Sequence, residues 1–226
     1  MNEKMRQHGY KNLWMNPNVA IVRLNYLIEK YGIQKIINKS IFKHEREAWI
    51  VAVFLLGLKQ QDGKEYWLEI ETEQATPDIY GYQLREVEGN NYRDVFNIEV
   101  VEWEEHGAGI VDIIKNKSQK LYPAYFYLLV YARKGGEVID CNKIYNEILS
   151  FRIPFSEIWI LASSSYNQDY DLTRVYKQIF QIRFNLSSAI ISNKEQKSFA
   201  TFLKRGKGTE FKNLGQVLVS YPQIDE

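Results

Sequence analysis

Apolar residues in the first part of the chain recur at helical intervals. After the turn signal Asn16-Pro17, the positions Val19, Val22, Leu24, Leu27 and Ile28 predict a helix that ends at Gly32. A short helical stretch over 34–38 follows. Ser40 is placed as the N-cap of a longer helix through KHEREAWIVAVFLLGLKQ. That helix carries Glu45 and Glu47 in its early turns and is then almost wholly apolar, as a helix covered by a sheet must be. Residues 1–16 read as a polar lead-in.

The period changes to two after the turn at Gln61-Asp62-Gly63. KEYWLEIETE alternates Tyr66, Leu68 and Ile70 with Trp67, Glu69 and Glu71, which predicts a half-buried strand whose Glu69 and Glu71 face solvent. Pro77 interrupts that ladder, and PDIYGYQLRE restarts as a second strand. The turn residues of EGNNYRD lead into VFNIEVVEW, a third strand rich in β-branched and aromatic residues. Three antiparallel strands in succession make a meander. Gly107 and Gly109 end it, GIVDIIKNKSQK has helical spacing, and AYFYLLVYAR is a continuous apolar run, as in a strand covered on both faces. A helix through CNKIYNEILSF and a second buried strand, SEIWILASS, complete a strand–helix–strand unit expected to make a right-handed parallel crossover.

The fold class is therefore α/β, with a central mixed sheet flanked by helices. The chain divides into an N-terminal helical extension (1–42), an α/β core (43–170) and a basic, mainly helical C-terminal region (171–226) packed on the core. Within that last region, helix is expected through Leu186 and again from about Lys194 to Leu203, with a loop at RGKGTEFKN.

Composition adds bounds. With 45% hydrophobic and 25% charged residues, 226 residues suffice for one sizeable core. The lone Cys141 excludes an internal disulfide and a cysteine-built zinc site, and His8, His44 and His106 are too scattered for a histidine cluster. The start is polar, and the longest apolar run, 48–58, is too short to cross a bilayer, so a cytoplasmic protein without membrane association is expected. The net charge of +1 conceals segregation: thirteen acidic residues against Lys64, Arg85 and Arg93 between Asp62 and Glu105, and nine basic ones against Glu195 and Glu210 between Arg174 and Lys212. One stretch suits a cation; the other suits phosphates.

Several chemistries drop out. Gly206 and Gly208 lie in a basic loop without the P-loop pattern, and no G-x-S-x-G elbow surrounds Ser163-Ser164-Ser165. Cys141 opens a helix, where a thiolate is favoured, yet an isolated cysteine reads as packing. What stands out is a carboxylate pair. Asp78 follows Pro77 at a strand start, and Glu99 sits between Ile98 and Val100 on the next strand, where an unpaired carboxylate is costly. Glu102 is a rival for Glu99, because the register between the two strands is open.

The order helix, three-strand meander, helix, strand, helix, strand, together with Pro77-Asp78 and Ile98-Glu99-Val100-Val101, resembles the restriction-endonuclease-like, or PD-(D/E)xK, nuclease superfamily over residues 43–162. The resemblance implies a restriction-endonuclease-like core in which Asp78 and Glu99 hold Mg²⁺ (or Mn²⁺) for hydrolysis of DNA phosphodiester bonds. It also implies an assisting glutamate from the first core helix, Glu47, with Glu45 as the alternative. The family's triplet ends in lysine, and here that position is Val101. A lysine relocated to the following helix is expected to replace it, Lys115 in preference to Lys117. Arg174, Lys177, Arg183, Lys204, Arg205 and Lys207 are the candidates for holding the DNA backbone, and a homodimer is admitted. If no lysine reaches the site, the expectation becomes a catalytically silent protein of the same fold that binds DNA or a partner protein.

Overall fold

The computed structural model describes residues 13–70, 77–88, 90–104, 107–123, 125–133, 138–164, 168–194, 202–205 and 211–215. Of the positions named above, His8, Glu71, Glu105, His106, Ser165, Glu195, Gly206, Lys207, Gly208 and Glu210 lie outside them.

One ten-stranded mixed sheet organises these residues, in the order β10-β9-β1-β2-β3-β4-β5-β6-β7-β8. The strands are β1 (Leu13–Met15), β2 (Glu65–Ile70), β3 (Ile79–Val87), β4 (Asn90–Trp103), β5 (Phe126–Ala132), β6 (Glu157–Ser163), β7 (Asp169–Tyr176), β8 (Phe180–Asn185), β9 (Phe202–Arg205) and β10 (Phe211–Gly215). The predicted meander is β2-β3-β4, antiparallel throughout. From β4 to β6 the pairing is parallel, with α4 (Ile110–Ser118) and α5 (Cys141–Ile148) as the crossover helices. The mixed α/β class and the order of core elements are thus as the sequence predicts.

Helix α3 (Lys43–Asp62) is the centre of the larger core. Its residues from Ile50 to Leu56 are buried on every side because sheet, α1 (Pro17–Tyr31) and α6 (Leu186–Lys194) surround it. Gly63, at φ 70°, supplies the left-handed C-cap that stops it. On the opposite sheet face, α4 and α5 bury Ile110, Ile114, Ile144 and Ile148 against Leu128, Val130, Ile158 and Ile160. Strand side chains alternate between these layers: Ile98 and Val100 join the α3 side, and Val101 joins the α4 side. Gly57 lets α3 lie close to β8, since a Cβ there would fall 2.6 Å from Phe184 Cε1. Gly57→Ala therefore overpacks the contact by about 1–3 kcal/mol, more than the ~1 kcal/mol of helix propensity it gains. Urea unfolding is expected to show a lower midpoint for Gly57→Ala, recovered in Gly57→Ala/Phe184→Leu; an unchanged midpoint in the single variant is the contrary result.

Four expectations need correction. The region 171–185 belongs to a β-hairpin, β7-β8, and among the described residues after it only α6, which opens at Leu186, is helical. Burial alternates along β8, with Ile182 and Phe184 inside and Gln181 and Arg183 outside, and half of β7, Tyr170, Thr173, Val175 and Tyr176, is β-branched or aromatic. The expected second C-terminal helix falls mainly outside the described residues, and its last positions, Phe202 and Leu203, belong to β9, with β10 following. The N-terminal extension is not wholly helical: Leu13–Met15 pair with β9 and β2, burying Trp14 and Met15 completely. Ser40 opens a 3-10 turn, α2 (Ile33–Asn38) precedes it, and Phe42 occupies the N-cap of α3 without a side-chain cap. Among the described residues, no helix is long and apolar enough to cross a membrane.

Candidate active site

Asp78 is held one residue before β3. The β3-β4 ladder pairs Ile79 with Ile98, so its next step sets Asp78 beside Glu99, and this register decides between Glu99 and Glu102. The Val100 N–H donates to Asp78 Oδ2 at 2.9 Å, which fixes the carboxylate against β4. Glu102 is used elsewhere, accepting from Arg46 at 3.2 Å and facing Arg133.

Glu99 is 5% exposed, and its charge is met by a lysine. Lys117 Nζ lies 2.5 Å from Glu99 Oε1. Lys117 comes three residues after the fully buried Ile114 and so shares the sheet-facing side of α4, whereas Lys115 is turned to solvent. It is Lys117, not the expected Lys115, that reaches Glu99. The physical reason is helical phase: two residues along a helix is about 200° of rotation.

Helix α3 delivers the third carboxylate. Glu47 is buried, with Oε1 3.1 Å from Lys43 Nζ, and the same ammonium lies 3.5 Å from Asp78 Oδ1. Glu47 Oε2 faces His44 Nδ1 at 3.4 Å, and among the described residues neither atom has a hydrogen-bond partner. Glu45, the alternative, points away into a buried ion pair with Arg23. Tyr122, after α4, completes the cluster: its hydroxyl adjoins the Glu99 carboxylate without making a well-formed hydrogen bond. Burial first, then Glu99 and Asp78, push its pKa well above the ordinary phenol value, so it stays a neutral hydroxyl.

Three carboxylates thus confront two ammonium groups, leaving negative charge in excess. The consequence is visible at Asp78. Burial and the neighbouring charge of Glu47 raise its pKa, opposed by the Val100 N–H, Lys43 and Lys117. Lys43 responds the other way, since Glu47 and Asp78 outweigh burial and hold its ammonium above the ordinary value.

A carboxyl raised by folding binds its proton more tightly in the native state. Its contribution is favourable below the ordinary carboxylate range and is lost as pH rises through the raised value. Asp78→Asn has no such charge. In metal-free buffer its stability relative to the wild type is expected to improve as pH rises from the ordinary carboxylate range, about pH 4, through the raised value. Thermal unfolding of both proteins at each pH measures this; a pH-independent difference is the contrary result.

Lys43 and Tyr122 escaped the sequence reading. Lys43 carried a signal, the i,i+4 spacing to Glu47; Tyr122, in a connecting loop, carried none. The basic candidates divide. Arg183 makes a two-pronged pair with Asp171 at 2.7 and 3.0 Å, and Arg174 pairs with Glu157 at 3.2 Å while stacking near Trp159 and Phe180. Both charges are answered inside the fold. Lys177 is exposed, and Lys204 and Arg205 lie on β9. Glu69, expected to face solvent, accepts from Trp14 Nε1 at 3.0 Å and Tyr82 Oη at 2.7 Å. Cys141 does open α5, but burial pushes its thiol up, so the thiolate is disfavoured there.

The donor set fits a hard dication. Among the described residues, no three histidine, cysteine or acidic side chains close on one point. Mg²⁺ needs fewer, being held by one or two carboxylates with water and substrate phosphate. Asp78 and Glu99 supply hard oxygens from adjacent strands, and Glu47 Oε2 is a buried oxygen with no other partner among the described residues. Compared with protein families, with curated proteins and with solved structures, the chain matches none.

Proposed function

We propose that the protein is a Mg²⁺-dependent nuclease of the PD-(D/E)xK kind, hydrolysing DNA phosphodiester bonds at the cluster of Asp78, Glu99, Lys117 and Glu47. The observation that carries this reading is Lys117 on Glu99: an ammonium group stands at the carboxylate pair although the strand position that resembles the family's lysine is Val101.

Asp78 and Glu99 would hold the ion. Bound there, Mg²⁺ supplies Lewis-acid polarisation of the phosphoryl oxygens and a water of lowered pKa. The protein's own groups supply the rest. The Val100 N–H orients Asp78 so that one oxygen stays directed at the site. Lys117 brings positive charge to the side where negative charge grows on the phosphate oxygens, and its ammonium can hydrogen-bond an attacking water while Glu99 orients it. Lys43, 55% exposed at its side chain and shared by Glu47 and Asp78, is free to turn toward an incoming phosphate. Tyr122 remains a neutral donor beside Glu99 throughout.

Plasmid and oligonucleotide cleavage with Mg²⁺ or Mn²⁺ tests the reading. The wild type is expected to cut, EDTA to stop it, and Asp78→Ala and Glu99→Ala each to lose at least about 10²-fold in rate. A folded wild type that cuts under neither metal, or cutting that survives both substitutions, rejects it.

A further inference from the structure

The connection from α4 to β5 places two large apolar side chains in solvent beside this site. Leu121 is 93% exposed and Tyr125 is 72% exposed. Neither is loose. Between them, the Tyr122 ring packs on Phe126 and Phe155, with centroids 5.2 and 4.7 Å apart, and its hydroxyl adjoins Glu99. The Asn97 N–H bonds the Tyr125 carbonyl at 3.4 Å. Asn97 and Glu99 share a face of β4, two residues apart, so Tyr125 is tied down about 7 Å along the strand from Glu99.

Tyr125 also adopts φ 68°, a left-handed conformation that bulky residues rarely take. Such backbone is kept at sites of function more often than elsewhere, and here it accompanies an exposed ring. The same stretch is basic. Lys115 and Lys120 are exposed, and Lys117 is already at Glu99. A single exposed apolar residue needs no explanation. An anchored aromatic and a leucine following two exposed lysines, two residues along the strand from Glu99, have the make-up of a surface that binds a nucleic-acid strand by stacking and charge together.

We propose that this connection holds the substrate strand: the Tyr125 ring stacks on an unpaired base next to the phosphodiester at Asp78 and Glu99, Leu121 packs against the same nucleotide, and Lys115 and Lys120 meet the adjoining phosphates. Inside an intact duplex both faces of every base are occupied by neighbouring bases, so the ring has a partner only where bases are unpaired. The ligand is accordingly DNA with unpaired bases at the cut. This inference rests on the nuclease reading for the place of the phosphodiester, and deepens it.

The test is fluorescence anisotropy with a labelled single strand and the blunt duplex made from it, using the full chain with Ca²⁺ in place of Mg²⁺. The wild type is expected to bind the single strand more tightly. Tyr125→Gly should weaken that binding about tenfold, within the range for one stacked base, and leave duplex binding unchanged. Tyr125→Trp should preserve it. Glycine accepts φ 68° without strain, so misfolding does not account for a loss. A wild type that prefers the duplex, or a Tyr125→Gly protein that matches it on the single strand, overturns the inference. Cleavage read with Mg²⁺ separates the two readings. Tyr125-dependent binding without any cleavage removes the nuclease and keeps the strand-binding surface; Asp78-dependent cleavage with Tyr125-independent binding does the reverse.

Discussion

Lys117→Met is expected to lower Mg²⁺-dependent cleavage by a factor of about 10²–10³, the usual cost of removing one preorganised donor from a site of developing charge. Lys115→Met should weaken DNA binding, since that lysine meets an adjoining phosphate, yet at saturating protein its cleavage rate should stay within about twofold of the wild type, because its ammonium is turned away from Glu99 to solvent. The comparison is informative since both residues lie on one helix and both changes remove one positive charge. Net charge is therefore altered equally, and Lys117→Met alone removes a contact with Glu99. A further variant moves the charge back to the strand. Val101 lies two residues after Glu99 on the same face, so Lys117→Met/Val101→Lys should regain part of the lost rate if a nearby ammonium is what the site requires. Single-turnover cleavage of one oligonucleotide measures all of these. Equal losses at positions 115 and 117 would show that Lys117 acts only through bulk charge, and no cleavage by any form would favour a silent, DNA-binding protein.

The parts of the architecture that were legible in the sequence are those where one period dominates. Helix α3 and the strands β2 to β6 carry unmixed signals, apolar on all sides for the helix and alternating or continuous for the strands. The hairpin β7-β8 was misread for a specific reason. Leu172, Val175, Ile179, Ile182 and Leu186 fall three and four apart, which fits a helix, although Ile179 lies in the turn between two strands. Thr173, Val175 and the flanking tyrosines held the better clue, since β-branched and aromatic residues make up half of β7. Strand β1 is three residues long, too short to display a period at all, and it exists through partners distant in sequence. Its arrival also explains Glu69: Trp14 turns a position that looked solvated into a hydrogen-bonded one.

The same division holds for the candidate site. Asp78 and Glu99 were visible because carboxylates stood out against a proline and an apolar strand, and Glu47 only through the resemblance, since Glu45 in the same polar opening KHERE is its equal in sequence. The choice among lysines was not, because it depends on the phase of α4 against the sheet, and that phase is set by which of Ile110, Ile113 and Ile114 faces Leu128 and Phe126. Tyr122 depends on tertiary approach alone, and so does the approach of Lys43 to Asp78, beyond its i,i+4 spacing to Glu47. Their contribution is electrostatic before it is chemical: without Lys43 and Lys117, three carboxylates would share a half-dry site.

Arg23→Met is expected to destabilise the protein by about 3–5 kcal/mol, a large fraction of the stability of an ordinary domain. Arg23 and Glu45 form a buried pair between α1 and α3, with Nη2 to Oε1 at 2.7 Å and Nε to Oε2 at 3.3 Å, and side chains 5% and 8% exposed. Removing the guanidinium leaves Glu45 buried with a charge it cannot shed into water, which is the expensive half of a broken pair. Arg23→Met/Glu45→Leu removes both charges and fills a similar volume, so it should recover most of the loss. The pair bears on the site as well, because α3 begins two residues before Glu45 and carries Lys43 and Glu47 on that same first turn and a half. Urea unfolding followed by circular dichroism measures the stabilities, and the double variant allows cleavage to be assayed on a folded protein. If the single and double variants prove equally unstable, the pair's value lies in packing rather than charge. If the double variant is stable yet cuts slowly, the pair serves to set the position of Glu47 against Asp78.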